Sequence, residues 1–119
     1  MELALGPGMY SDATHVGNLV LGHLALSEGD VGTAGEHLLA AGRVPGSPVL
    51  KTFGPHFLLA KQLIAKGERE TVIEYFDLCA KFWAREDGRL VKWKAAVRRR
   101  EIPDFKFSRY GELTGWRHT

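Results

Sequence analysis

Seven positions in the first half of the chain recur 38 residues later with matching character. Leu21-Gly22 is followed by Leu59-Ala60, Ala25 by Leu63, Gly29 by Gly67, Ala34 by Val72, Leu38 by Phe76 and Ala41 by Cys79. A fixed offset between small, apolar and turn-forming residues is the mark of a supersecondary unit used twice. In such a unit, Gly22 or Ala60 lets a partner helix approach closely, and Ala34 completes that crossing. Leu38 or Phe76 fills the space beside it, and the turn glycine takes a backbone conformation that other residues resist.

Local periodicity agrees with a chain built of helices. From residue 12 to 101 apolar residues recur at helical spacing, and no segment alternates as a strand would. The first helix is expected to open at Ser11 or Asp12 as cap and to run through Val16, Leu19, Val20, Leu24 and Ala25. A second carries Val31, Ala34, Leu38 and Ala41 on one face and ends at Gly42. Ser47-Pro48 predicts a short helical turn through Val49, Leu50 and Phe53, which Gly54-Pro55 interrupts. A third long helix is expected from Pro55 to Lys66, and a fourth on the stripe Val72, Ile73, Phe76, Cys79, Ala80 and Trp83. A fifth, from about Arg89 to Glu101, turns Leu90, Trp93 and Ala96 or Val97 inward before Pro103 stops it.

The expected fold class is therefore all-α: a right-handed array of two helix-turn-helix units, a capping helix and an extended tail. With 119 residues there is room for one domain. Its parts are unit 1 (11–42), a linker (43–54), unit 2 (55–84), a capping helix (88–102) and a tail (103–119). Two units are fewer than the three that a stable stack needs, so the capping helix or a second copy of the chain must cover the open face.

The run Leu21-Gly22, Ala25, Gly29, Ala34, Leu38, Ala41 resembles the tetratricopeptide family. Val72 and Cys79 depart from its pattern in the second unit, and the linker is roughly four residues longer than that family's period of about 34. The stretches Leu39 to Gly42, Gly46 to Pro48, Phe53 to Pro55, Leu78 to Trp83 and Ile102 to Phe105 further resemble a group of small bacterial helical-repeat proteins, over residues 15–105. That resemblance implies a helical-repeat fold and a bacterial cytoplasmic setting, and it brings no activity.

Chemistry-bearing motifs are scarce. His15 and His23 lie on one helix about 12 Å apart, too far to share an ion, and read as surface or groove histidines. Neither HExxH nor CxxC occurs. Cys79 falls on an apolar stripe and reads as a core thiol; as the sole cysteine it also fits a reducing cytoplasm. Gly29 to Gly35 is rich in glycine, yet it follows a helix and lacks the Gly-Lys-Ser/Thr ending of a phosphate loop. The expectation is a protein without catalytic residues, cofactor or metal, and without a membrane span.

Two surfaces remain. The repeat register expects an inner groove of Leu19, His23, Leu26, Phe57, Lys61 and Ile64, suited to a protein or peptide partner. The other surface is basic. Residues 1–84 hold 6 Lys/Arg against 9 Asp/Glu, whereas residues 85–119 hold 10 against 5. Arg98, Arg99 and Arg100, with the aromatics beyond Phe105, could contact a polyanion such as nucleic acid. Consecutive arginines fan out by about 100° each, which suits a solvated helix end better than a groove. The leading expectation is a self-associating protein-interaction module, with nucleic-acid binding as the alternative.

Overall fold

A computed structural model describes residues 7–105. They form α1 (Pro7–Ser27), α2 (Val31–Gly42), α3 (Pro48–Phe53), α4 (Leu58–Ala65), α5 (Arg69–Ala80) and α6 (Arg89–Arg98). Among the described residues there is no strand. Helix α1 packs along α2, α2 on α4 and α5, α4 on α5, and α5 on α6, while α3 rests against α1.

The 38-residue offset has a backbone counterpart. At the end of α1, the Asp30 N–H donates to Ala25 O (2.9 Å) and the Gly29 N–H to Leu26 O (3.0 Å). At the end of α4, Glu68 donates to Leu63 O and Gly67 to Ile64 O, both at 2.9 Å. Each pair closes a helix with a glycine in left-handed geometry, at φ 82° for Gly29 and 87° for Gly67. The equivalent core positions match too: Ala34 and Val72, Leu38 and Phe76, and Ala41 and Cys79 are all fully buried. At Gly22 a Cβ would lie 2.4 Å from Leu59 Cδ2, so the Leu59 side chain of α4 fills the space that a larger residue on α1 would need.

Helix boundaries differ from expectation in four places: α5 ends at Ala80, before Trp83, α6 ends at Arg98, before Glu101, and the starts of α1 and α4 are displaced. Helix α1 starts at Pro7, so Ser11 and Asp12 lie within it and not at its cap. Asp12 instead accepts a hydrogen bond from Ser47 Oγ (2.6 Å), and Ser47 in turn caps α3 by accepting from the Leu50 N–H (3.0 Å). Helix α4 begins at Leu58, three residues after Pro55, because the backbone at His56 is held by tertiary hydrogen bonds. Gly54, at φ 87°, passes beneath the Trp83 indole, where a Cβ would fall 2.5 Å from the ring.

Helix α6 closes the second unit, with Leu90, Trp93, Ala96 and Val97 buried. Phe57 is the hub of the aromatic cluster at that end. It touches Trp93 edge-on at 4.8 Å, stacks on Phe105 at 5.4 Å with 3° between planes, and also meets Tyr75, Phe76 and Trp83.

Candidate interaction surfaces

The groove expected from the repeat register is closed in this structure. Leu19 and Ile64 belong to the core, at 7% and 4% exposure. Leu26 and Phe57 are half-buried and pack against that core, Phe57 beneath Phe105 and Trp93. Only Lys61 is exposed, with His23 half-buried. The six residues therefore line no continuous apolar surface. The physical reason is that Trp93 of α6 and Phe105 pack on Phe57, while Leu19 and Ile64 turn into the core.

The basic triad is exposed and sits at the end of α6. Arg98 is the last helical residue, Arg99 is the cap, and Arg100 adopts left-handed geometry at φ 65°. Glu101 N–H donates to Ala96 O (2.9 Å) and Arg100 N–H to Val97 O (3.0 Å), closing the helix as Gly29 and Gly67 close theirs. Arg99 is paired with Glu101 at 3.1 Å, and that contact raises the guanidinium pKa further. The three arginines thus serve a helix end where positive charge is favourable. The tail cations and aromatics from Lys106 onward lie outside the described residues.

The segment rich in glycine is a turn and a helix start. Asp30 accepts from the Thr33 N–H (3.1 Å) and from Thr33 Oγ1 (2.7 Å), which lowers the Asp30 pKa. A carboxylate therefore occupies the helix N-terminus that a phosphate would need. Cys79 is fully buried, and desolvation pushes its thiol far above the range in which a thiolate forms. Among the described residues, no three His, Cys, Asp or Glu gather as metal ligands.

His15 is neither a surface nor a groove residue, as its sequence context suggested; it is completely buried. Its Nδ1 lies 2.9 Å from Ala41 O, and its Nε2 accepts the backbone N–H of His56 at 3.1 Å. A ring nitrogen that accepts carries no proton, so the other must donate, which fixes the neutral Nδ1–H tautomer. Tyr75 OH donates to His56 O at 2.8 Å, so α1 and α5 hold both sides of the same peptide segment. A signal for this was present in the sequence. Pro45 stands four residues after Ala41 and has no N–H, so the Ala41 carbonyl needs a partner from elsewhere.

Among the described residues, five of the nine exposed large hydrophobic side chains lie on the outward side of α1. Tyr10, Val16, Val20, Leu21 and Leu24 are 47–56% exposed. No Asp, Glu, Lys or Arg occurs from residue 13 to 27. Gly17 lies in the middle of this face, and a Cβ there would meet nothing within 4 Å. A glycine inside a helix is unfavourable unless something approaches it, and nothing in this chain's described residues does. Val16, Val20 and Leu24 share helical spacing with Leu19 and Ala25, but the structure separates the two sets, the first exposed and the second buried.

Compared with known proteins, the chain matches no family model, no curated protein and no solved structure. No helix among the described residues is long and apolar enough to cross a membrane.

Proposed function

We propose that this chain is a non-catalytic protein-interaction module of helical-repeat, tetratricopeptide-like type, and that its docking element is the outward face of α1. The observation that carries this reading is the uncharged α1 face bearing five large apolar side chains about half exposed. Clustered apolar exposure of that kind marks an interaction site. The paired helix turns at Gly29 and Gly67 support the repeat part of the reading. The contacts described for Cys79, His15, Asp30 and Arg99 are structural ones, and they support a non-catalytic reading.

The test is capture. Immobilised chain is incubated with extract from its host, beside a Val20→Glu, Leu24→Glu variant that carries charge on the same face. Proteins retained by the first and lost by the second, further copies of the chain included, are the expected result. A retained set that is the same for both chains refutes the assignment of the docking face.

A further inference from the structure

The outward face of α1 follows a seven-residue pattern of its own. Tyr10, Gly17 and Leu24 are spaced by seven, as are Ala13, Val20 and Ser27, and the two series interleave by three and four. All six are exposed. This is the spacing of a helix seam that packs on a second helix. It lies on the side of α1 opposite Ser11, His15, Gly22 and Ala25, which face the chain's own core.

We infer that the occupant of this seam is α1 of a second copy, lying antiparallel about a two-fold axis level with Asn18 and Leu19. This rests on the reading that α1 is the docking element, and it names the partner. The register is the one that sets the first series of one helix against the second series of the other. It places Tyr10 against Ser27, Ala13 against Leu24, and Gly17 against Val20 of the partner, and the two-fold repeats each layer. Every layer joins a large residue to a small one, so the seam is complementary to itself. The unsupported space at Gly17 becomes the socket for the partner's Val20.

Charge and area agree with self-pairing. With no acidic or basic residue from 13 to 27, two copies bring no like charges together across the seam. The five large side chains alone expose roughly 450 Å² per copy, or about 900 Å² for two, close to the ~1,000 Å² at which a specific interface begins. Ala13, Thr14, Gly17 and Ser27 add to that area. An isologous interface of this kind closes on itself and stops at a dimer.

The experiment uses the full chain. Sedimentation over a hundredfold concentration range is expected to show a dimer, and Val20→Glu with Leu24→Glu a monomer with unchanged helical circular dichroism. Oxidising a mixture of Gly17→Cys and Val20→Cys chains should give several-fold more cross-linked dimer than either chain alone, since Cys79 is buried and does not compete. Preferential cross-linking of Gly17→Cys to itself overturns the antiparallel register. A wild-type monomer at every concentration overturns self-pairing. If the same monomer still loses a captured protein through the two glutamates, the docking face stands and only the identity of its partner falls. A monomer whose Val20→Cys thiol is shielded from a maleimide overturns the proposal in favour of a cover within the same chain.

Discussion

Acid should loosen this fold through His15, and the hydrogen bonds around that ring set the size of the effect. The imidazole is fully buried and accepts the His56 N–H through Nε2. Adding a proton there replaces an acceptor by a donor aimed at another donor. Burial is the main cause that lowers the pKa from 6.5, and the nearby His56 acts in the same direction; the Ala41 carbonyl and Asp12 oppose them. The native state therefore refuses a proton that the unfolded chain takes. Above pH 7 or so both states are neutral and the His15 contribution is complete. As pH falls below 6.5, the unfolded chain is protonated first and stability declines. The decline approaches about 1.4 kcal/mol per pH unit and stops once the lowered native pKa is passed.

Replacing the ring tests the same reasoning from the other side. His15→Phe keeps a flat apolar shape but strands the Ala41 carbonyl and the His56 N–H, each at about 1–3 kcal/mol. The expected loss near pH 7.5 is about 2–4 kcal/mol, with recovered apolar packing offsetting part of the cost. Urea denaturation at a series of pH values, read by circular dichroism, measures both quantities. The variant should be less stable and also less sensitive to pH between about 5 and 7. His56→Ala, which keeps the backbone N–H, should retain most of the stability at neutral pH. If His15→Phe loses stability with acid as steeply as the wild type, His15 is not the titrating group and the argument fails.

Three further outcomes follow from the packing. Phe57→Ala should cost about 3–5 kcal/mol in thermal or chemical unfolding, because it empties the centre of the aromatic cluster, whereas Lys61→Ala should stay within about 0.5 kcal/mol; similar small effects for both would restore Phe57 to an open groove. Arg100→Gly should stabilise the chain by roughly 0.5–1 kcal/mol, since glycine adopts the left-handed geometry at φ 65° without steric cost, and an unchanged or lower melting temperature would contradict that. Cys79 should resist iodoacetamide in the native state and react promptly in urea, its thiol being buried and its pKa raised by desolvation. Rapid labelling without denaturant would place it outside the core.

Much of the fold was legible because glycine, proline and small residues act locally. Gly29 and Gly67 announced two equivalent turns, Ser47-Pro48 a capped helical turn, and Gly54-Pro55 a break, and each lies where the residues required. The candidate site was less legible, since burial is decided by neighbours distant in sequence. Repeat register places Phe57 at the position of Leu19, and a longer array would leave both on an inner surface. Here α6 brings Trp93 over Phe57, and Phe105 stacks on its other side. His15 differs from expectation for the converse reason: an isolated histidine suits the surface until the carbonyl it serves is identified. The missing N–H of Pro45 identifies it, but only once α1 and α2 are known to lie together.

Helix α1 shows what periodicity does and does not determine. Apolar residues fall on both sides of it, so the 3.6-residue rule selects no single face. The close approach at Gly22 does select one, because α4 brings Leu59 to where a Cβ would stand and the residues on that side must follow it inward. What remains outside is uncharged, and its two interleaved series alternate in size along the helix. In the proposed antiparallel register those series set tyrosine against serine, leucine against alanine and valine against glycine. The same small residue type thus has two uses on one helix under this proposal: Gly22 admits Leu59 of the chain's own α4, and Gly17, five residues nearer the start, is the proposed socket for the partner.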